Sequence, residues 1–509
     1  MNVRPIREED IEQVIQLFRM NYGDDYAIPE FYDPQWVKRG IYSDHIIWLV
    51  IEDEGRVVAS GAAILDFGDY NDQIAEIGRL VVDPSVGGRG LGRTLLDALV
   101  DASDDRVEFA FGEARTTHIK TQRIFDRVGL VPLGFLPMAY MMSWRESWVL
   151  SGQLFEHGRN MRQPGANQVI PEVASIAGLA LSNLGLAEPV RVRADARPYP
   201  LDESLAIEPL TGGDLVRLLK IEHGRVLDPE IFGGLHLDQG ISQLRARKAV
   251  YLVASDHADV LGAVGIMPDK ASRNVRIVEL IASDDAVKGA LLRAAVDLSE
   301  HEHDAEVIDC DVSAASPRLQ RTLLELGFLP AGYIPGMVFH HTARWDVVRM
   351  MKLNVDWNLG TIELTDASQA MFNAVTPAFI QRDALRKRRQ LVCGAAVLHT
   401  LTQLEADVVQ QMGEEVTLAG GSELAPEGMY IVLDGVAACG DVMLEQGESF
   451  GEGVLLGSRE GGARGAGPFQ VREPVRLLRL TRRDFQALCD RHPRLGLKLY
   501  RNLTARLFA

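Results

Sequence analysis

The chain has 509 residues and a formal net charge of −18 at pH 7, with 47% hydrophobic and 24% charged residues. These values describe a globular protein too long for one hydrophobic core, so we expect three domains, and the acidic charge argues against nucleic acid as a partner. The sequence holds no uncharged apolar stretch long enough to span a membrane and no signal peptide at its start, so we expect a cytoplasmic protein with no membrane partner.

The cysteines argue against a metal site. The sequence has four, and they lie far apart without the spacing of metal ligands: Cys310, Cys393, Cys439 and Cys489. We therefore expect reduced structural thiols and no bound metal.

The first predicted elements are a helix, a hairpin and a strand. Asp10 opens the helix, and two apolar runs at residues 47–51 and 57–63 flank the turn Glu54-Gly55. A further apolar strand covers residues 77–82. This strand leads into the most informative segment of the sequence.

That segment is the glycine-rich turn of residues 82–96, which opens a helix with an apolar face. Its four glycines are Gly87, Gly88, Gly90 and Gly92. They allow successive main-chain N–H groups to converge on one point, and the positive end of the helix faces the same point. A bound pyrophosphate fits this pattern, although several nucleotide folds use a similar turn.

Residues 1–145 resemble the GNAT family of acyl-CoA-dependent N-acyltransferases. After the turn come a predicted strand at 107–111, a helix ending at Gly129-Leu130 and a strand near Gly134-Phe135, in the family's order. The resemblance implies acetyl-CoA as co-substrate and a mixed sheet with helices.

The resemblance also implies the residues that bind acetyl-CoA. Main-chain N–H groups around Leu80, Val81 and Val82 would polarise the thioester carbonyl. The family's usual arginine or glutamine at the head of the turn is replaced by Gly87, so we expect weakened binding. The pyrophosphate contacts would come from Gly87, Gly88, Arg89, Gly90, Gly92 and Arg93, with His118 at the family's asparagine position.

Three residues are candidates for proton transfer. Glu76 lies where many GNAT enzymes keep a general base, although an ordinary exposed strand residue is an equal alternative. Phe125 replaces the tyrosine that often protonates the leaving thiolate. His118 or Tyr140 would then serve as the general acid, unless both are structural.

The acceptor side is expected near residues 22–32. Aromatic walls with carboxylates suit an amine or a lysine side chain, and this segment contains Tyr22, Asp24, Asp25, Tyr26 and Tyr32.

The chain contains an internal repeat. Residues 122–137 match residues 320–335 at one offset, with Gly134 answering Gly332, so residues 204–345 are expected to form a second GNAT-type fold. Its turn is degenerate, because Asp284 and Asp285 stand where a pyrophosphate would bind. We expect a non-catalytic copy.

Two segments are predicted to connect the domains. Residues 146–203 are expected to be helical up to about residue 188 and then a linker, with Trp148, Val149 and Leu154 supplying the helical periodicity. Residues 346–396 are expected to form a helical linker that carries the basic run 382–389 as a solvated face.

Residues 397–509 resemble the cyclic-nucleotide-binding domain family. The order of the motifs matches: a strand at 430–433 ending in Asp434-Gly435, the run 447–456, and a closing helix with Phe485 and His492-Pro493. The expected fold class is therefore α/β, with two GNAT-type α+β folds of mixed sheets followed by an all-β roll with lid helices.

The second resemblance implies a phosphate-binding cassette formed by Gly451, Glu452, Arg464 and Ala466. Glu452 would bind the ribose hydroxyl and Arg464 the cyclic phosphate. Gly465 replaces the usual serine or threonine, so a β-roll that only packs or dimerises is the alternative.

The sequence thus predicts an acyl-CoA-dependent N-acetyltransferase that modifies a protein lysine or a small amine, gated by cAMP or cGMP as a regulator. A homodimer is compatible with this prediction. The alternative is a non-catalytic sensor or scaffold that binds acyl-CoA and a cyclic nucleotide.

Overall fold

A computed structural model describes residues 1–24, 26, 29–65, 74–186, 188–201, 205–210, 218, 229–233, 249–256, 259–282, 284–439, 442–457 and 469–507. The chain forms two compact units, Met1–Phe379 and Ile380–Ala509. No helix within these residues is both long and apolar enough to cross a membrane.

The first half of the first unit contains seven strands. They are β1 (Asn2–Pro5), β2 (Ile46–Asp53), β3 (Arg56–Ile64), β4 (Ile74–Val82), β5 (Phe109–Arg115), β6 (Val131–Met141) and β7 (Arg145–Leu154). Their order in the sheet is β1-β2-β3-β4-β5-β7-β6.

Helices cover both faces of these strands. They are α1 (Ile11–Tyr22), α2 (Pro34–Ile41), α3 (Leu91–Asp104) and α4 (Lys120–Val128), followed by α5 (Glu156–Met161) and α6 (Pro171–Asn183). One core lies between the sheet and α1 and α2, and another lies between the sheet and α3 and α4. Strand β3 is consequently buried on both faces, which explains its continuous apolar sequence.

The second half of this unit repeats the strand order. Its strands are β8 (Ala206–Pro209), β9 (Val250–Asp256), β10 (Asp259–Asp269), β11 (Asn274–Ala282), β12 (Val307–Ser313), β13 (Leu329–His340) and β14 (Ala343–Leu353). They lie in the order β8-β9-β10-β11-β12-β14-β13. The helices are α7 (Asp285–His301), α8 (Pro317–Glu325) and α9 (Asp366–Gly394), which continues into the second unit.

The two halves share one sheet of fourteen strands, joined where β6 pairs antiparallel with β13. The paired residues are Gly134 and Gly332, which the sequence comparison had already matched to each other. A Cβ atom at Gly134 would lie 2.8 Å from the carbonyl oxygen of Ala331, so no side chain fits. Because matched residues pair with each other, an approximate twofold axis passes through this contact.

Two arginines tie the halves together reciprocally. At the start of β7, Arg145 donates from Nε to Glu306 at 2.5 Å. At the start of β14, Arg344 donates from Nη1 to Glu108 at 2.7 Å. Each arginine also donates to main-chain carbonyls of the preceding strand in its own half. Each half therefore depends on a carboxylate of the other.

The segments that follow β7 and β14 also cross between the halves. Gln320 in α8 accepts a hydrogen bond at Oε1 from the main-chain N–H of Ile170, at 3.1 Å. Gln122 in α4 donates from Nε2 to the carbonyl oxygen of Glu363, at 2.8 Å. Each half thus binds the segment that follows the last strand of the other half. The two halves therefore form one compact unit, where the sequence had predicted separate domains.

The expected helical periodicity at residues 146–154 is wrong. Trp148, Val149 and Leu154 lie on β7, which extends the first half to residue 154, and β14 extends the second half to residue 353. Strand β7 is buried on both faces along most of its length, so its sequence lacks the alternation that marks a half-buried strand. The helix predicted in this region is α6.

The second unit contains two four-stranded sheets and several helices. The sheet orders are β15-β22-β17-β20 and β16-β21-β18-β19. The strands are β15 (Glu414–Leu418), β16 (Glu423–Leu424), β17 (Gly428–Asp434), β18 (Ala437–Cys439), β19 (Val442–Leu444), β20 (Ser449–Phe450), β21 (Phe469–Val471) and β22 (Val475–Thr481). The helices besides α9 are α10 (Gln403–Met412), α11 (Glu452–Leu455), α12 (Arg482–Arg491) and α13 (Pro493–Leu507).

Candidate active site

A V-shaped cleft opens between β4 and β5. These parallel strands pair only from Ile74 opposite Phe109 to Glu76 opposite Phe111, and then separate. On its other side, β4 pairs with β3 through a bulge between Gly78 and Val81. The bulge leaves β4 main-chain groups facing the cleft, at the segment where the sequence placed the thioester contacts.

The glycine turn at the end of β4 is open to solvent. Gly88 and Gly90 have φ angles of +81° and +77°, a conformation that glycine adopts without strain, and an added Cβ at either would meet no atom within 4 Å. Helix α3 begins directly after Gly90 with no side-chain cap and no acidic residue in its first turn. Its first main-chain N–H groups have no intrahelical partner, and the helix start can therefore accept an anion from the turn.

Two arginines flank this turn. Arg89 and Arg93 are exposed, and their ion pairs with described residues are long, at 3.6 Å to Asp53 and 3.5 Å to Asp97. Both side chains can swing to a phosphate at little cost, since exposed ion pairs of this kind are weak. With the N–H groups of the turn, the residues present fit a pyrophosphate.

Glu76 lies at the point where the cleft opens. Its side chain is 11% exposed, and Oε2 accepts a hydrogen bond from Nη2 of Arg79 at 2.8 Å. Burial raises the pKa of Glu76 to about 7, with a further increase from the charge of Glu113, while Arg79 lowers it. A carboxylate that is half-ionised near neutral pH suits a general base.

Arg79 and Glu113 are the site residues that the sequence reasoning missed. Residues 76 and 79 would face opposite sides of a regular strand, but Arg79 has a φ of +53° within the bulge, and this brings both side chains together. The available signal was an arginine in an otherwise apolar segment, three residues after a glutamate.

Tyr140 lies on β6 beside this cluster. Its ring packs edge-on against Trp148, with centroids 5.0 Å apart. Burial raises the pKa of Tyr140 well above its usual value, and a hydrogen bond to Glu113 adds to this. The hydroxyl therefore stays protonated, and its proton is directed to a carboxylate.

His118 lies apart from this cluster, in the loop between β5 and α4. Its Nδ1 is buried without a hydrogen-bond partner among the described residues. Burial and the nearby Arg115 lower the pKa of His118, so the ring is neutral at pH 7. Phe125 is buried against Gly112 and offers no hydroxyl in its place.

Aromatic side chains form one wall beside Glu76 and Arg79. Tyr22 and Tyr26 pack with ring centroids 4.8 Å apart, and burial raises the pKa of Tyr26 to about 12. Tyr26 also forms a hydrogen bond with Arg79, and Tyr32 donates from its hydroxyl to the carbonyl oxygen of Gly23. Of the expected carboxylates, Asp24 is largely exposed and Asp25 lies outside the described residues.

In the second unit, the expected nucleotide contacts are described only in part. Glu452 is 4% exposed, and its Oε1 accepts from Ser449 Oγ at 2.8 Å and lies 3.3 Å from Nε of Arg506. Gly451 has a φ of +77° and lies against the carbonyl oxygen of Gly428. Arg464 and Ala466 lie outside the described residues.

The second unit also contains a cavity of about 630 Å³ that does not include Glu452. Its lining mixes cationic, anionic and amide groups from α9, α13 and the loop before β20, including Lys387, Gln390, Glu448 and Arg506. Lys387 and Arg506 are already paired with Asp383 and Glu452.

Comparison with known proteins identifies the first half. Residues 11–129 match the acetyltransferase (GNAT) family. No curated protein matches the chain.

Solved structures similar to this chain include three N-acetyltransferases. A ribosomal-protein-S5-alanine acetyltransferase from Vibrio fischeri is 14% identical, with 30% of this chain and 92% of that chain covered and a TM-score of 0.27. A ribosomal-protein-alanine N-acetyltransferase from Brucella melitensis is 18% identical over 30% and 100%, with a TM-score of 0.28. A spermidine N-acetyltransferase mutant from Vibrio cholerae is 19% identical over 30% and 95%, with a TM-score of 0.26.

The family match covers the glycine turn, Glu76 and helix α4. Residues 11–129 are a GNAT acetyltransferase domain, and the protein is an acetyltransferase.

Proposed function

We propose that this acetyltransferase moves the acetyl group of acetyl-CoA to an amine in the cleft between β4 and β5, with Glu76 as general base. The observation that carries the proposal is a buried carboxylate whose pKa is about 7, at the mouth of a cleft that ends in an open anion site. An amine is mostly ammonium at neutral pH, and Glu76 accepts its proton before attack.

Acetyl-CoA would be held mainly by main-chain groups. The N–H groups of the turn at Gly88 and Gly90 and of the start of α3 would bind the pyrophosphate, with Arg89 and Arg93 adding charge. Main-chain N–H groups at Leu80–Val82 would hold the thioester oxygen, where negative charge develops during attack. Gly87 adds no side-chain contact, so binding rests on the backbone.

The acceptor would enter between Glu113 and the aromatic wall. Tyr140 holds Glu113 through its hydroxyl, so this carboxylate is oriented to receive a cation. Tyr22 and Tyr26 supply aromatic surface on the same side of Glu76 and Arg79. A lysine side chain or a small amine fits this chemistry, because it combines a cation with an apolar stem.

Neither Tyr140 nor His118 is poised to protonate the leaving thiolate, so CoA would leave as the thiolate when the C–S bond breaks and take its proton from water. A tyrosine with a raised pKa gives up its proton poorly, and a neutral histidine carries no proton to spare at pH 7. We assign Tyr140 to the orientation of Glu113 and His118 to contact with the co-substrate.

We further propose that the second half is a GNAT-type copy without activity and that the second unit is a cyclic-nucleotide-binding-like module. The repeated strand order supports the first proposal. The position of Glu452 at the start of α11, directly after Gly451, supports the second. The Glu452 carboxylate already accepts a hydrogen bond from Ser449 and forms an ion pair with Arg506. A nucleotide ribose would therefore have to displace Arg506 to bind Glu452.

Acetyl transfer is tested by incubating the full chain with radiolabelled acetyl-CoA and a panel of polyamines, amino acids and lysine peptides. We expect transfer to at least one amine, and a loss of roughly 100-fold or more in Glu76→Gln with unchanged affinity for acetyl-CoA. Saturating cAMP or cGMP should change the rate if the second unit gates the enzyme. Rates that ignore both nucleotides would reject the gating.

Tight binding of acetyl-CoA without transfer to any amine of the panel would reject a lysine side chain or a small amine as the acceptor.

A further inference from the structure

The second half of the first unit has its own V-shaped cleft. Strands β11 and β12 pair in parallel from Asn274 opposite Val307 to Ile277 opposite Cys310, and then separate. A bulge at Val278 interrupts the pairing of β11 with β10, as the bulge at Arg79 does in β4. The two halves therefore present the same backbone architecture where the first half has its cleft.

A short segment of the chain, residues 229–233, fills this second cleft. Ile231 forms an antiparallel bridge with Val312 of β12. The main-chain N–H of Phe232 donates to the carbonyl oxygen of Asp311, and that of Ser313 donates to the carbonyl oxygen of Glu230, both at 2.9 Å. The segment thus adds to β12 as an extra strand.

The other side of the segment lies against β11. A Cβ atom added at Gly233 would lie 2.1 Å from Cα of Val278, the bulged residue, so backbone meets backbone there. Ile231 and Phe232 are buried in the core of the unit. The segment occupies the full width between the diverging strands.

A carboxylate stands at the helix end of this cleft. Glu230 is 7% exposed, and it accepts hydrogen bonds from the hydroxyl of Tyr199 at 2.8 Å and from Nζ of Lys288 at 2.6 Å. Lys288 lies in the first turn of α7, the helix that corresponds to α3. A negative group of the protein therefore sits near the position of the anion site in the first half.

The start of α7 is also covered. The side chain of Asp284 accepts a hydrogen bond from the N–H of Ala286 at 2.9 Å, so one amide of the first turn is already used. The carbonyl oxygen of Pro200 would lie 2.1 Å from a Cβ added at Gly289. In the first half, the matching turn has no atom within 4 Å of an added Cβ at Gly88 or Gly90.

We propose that residues 229–233 are a built-in plug that takes the place of acyl-CoA in the second half, so that each chain binds one acyl-CoA. The main chain of Glu230–Phe232 uses the edge of β12, and the Glu230 carboxylate satisfies Lys288 at the helix start. The inference rests on the proposed function in one respect, which is that acetyl-CoA is the ligand of the first half.

The first test is a calorimetric titration of CoA into the full chain and into two matched variants. Gly90→Asp places a carboxylate in the open anion site, and Gly185→Asp makes the same change at another exposed glycine with positive φ and no atom within 4 Å of an added Cβ. We expect one site in the wild type and in Gly185→Asp, and at least 100-fold weaker binding in Gly90→Asp. A second site in the wild type, or a site that survives in Gly90→Asp, would overturn the plug.

The second test does not need the first half to bind anything. Hydrogen exchange of the ligand-free chain measures the amides of Phe232 and Ser313, which form the two main-chain hydrogen bonds between the plug and β12. We expect both to exchange at least 100-fold more slowly than exposed amides, and CoA to leave the exchange rates of residues 284–290 unchanged. Fast exchange at both amides would reject the plug. Absence of CoA binding in the wild type would reject the proposed function, and the exchange rates would still decide the plug.

Discussion

Burial and two neighbouring side chains set the charge of Glu76, the proposed base. Burial and Glu113 disfavour its ionised form, whereas the positive charge of Arg79, whose Nη2 lies 2.8 Å from Oε2 of Glu76, favours it. The outcome is a pKa of about 7, so ionisation can change within the physiological range. Arg79 is therefore a tuning group as well as a partner.

Replacement of Arg79 should move the pH dependence of acetyl transfer. In Arg79→Met the attraction is lost, so the pKa of Glu76 rises and the acidic limb of kcat/KM shifts upward by about one pH unit. Arg79→Lys keeps the charge and should keep the limb near its original position. An unchanged or lower limb in Arg79→Met would show that Arg79 does not act on the base.

Because of Glu76, the free energy of unfolding should decrease as pH rises. Its pKa is 4.5 in the unfolded chain and about 7 in the fold, so between these values the folded state holds a proton that the unfolded state has lost. Stability conferred by this group is therefore lost as pH rises through that window, by about 3 kcal/mol at most.

Glu76→Gln removes this penalty, so the variant should be more stable than the wild type at about pH 8 and equal to it near pH 4. Urea unfolding at the two pH values measures the difference. A variant less stable at the higher pH would contradict the raised pKa.

At the scale of elements, the sequence predicted those parts that local chemistry determines. The turn of Gly88 and Gly90, the hairpin of β2 and β3, and the end of α4 at Gly129 follow from glycines in positions with positive φ. The sequence also matched Gly134 with Gly332 as equivalent positions of the repeat; that these two residues pair where the halves meet was not predicted.

Other elements were not predictable, because their conformation depends on distant partners. Residues of strand β7 were predicted to be helical, because burial on both faces removes the alternation of apolar and polar residues that marks a strand. The bulge at Arg79 shifts a side chain to the other face, which no periodic pattern shows. The plug contacts residues about 80 positions away in the chain, and its own sequence carries no sign of this.

Arg145 and Arg344, which each pair with a carboxylate of the opposite half, should be essential for the sheet that the two halves share. Arg344 is fully buried, and Arg344→Ala would leave Glu108 and two main-chain carbonyls without their donor. We expect a loss of about 3 kcal/mol or more in the free energy of unfolding, measured with urea.

Arg193→Ala is the matched control, because the Arg193 side chain is exposed and its ion pair is with the exposed Asp195. It should change stability by less than about 0.5 kcal/mol. Similar small effects in both variants would show that the tie between the halves carries little stability.

At the scale of the whole molecule, one sheet of fourteen strands replaces two of the domains that length had suggested. Each half supplies a carboxylate that pairs with an arginine of the other half. Each half also supplies the segment after its last strand, β7 or β14, which a glutamine of the other half contacts. The second half can therefore support the first without binding a ligand of its own. This arrangement gives a reason for a chain to keep a second half whose cleft is filled.

The central claim is that Glu76 acts as base in the cleft of the first half. The most direct test is the pH dependence of single-turnover acetyl transfer from radiolabelled acetyl-CoA to the best amine of the panel, for wild type and Glu76→Gln, between about pH 5.5 and 9. We predict a wild-type rate that rises with an apparent pKa near 7, and a slow rate in Glu76→Gln that lacks this limb. The same limb and rate in both proteins would contradict the account.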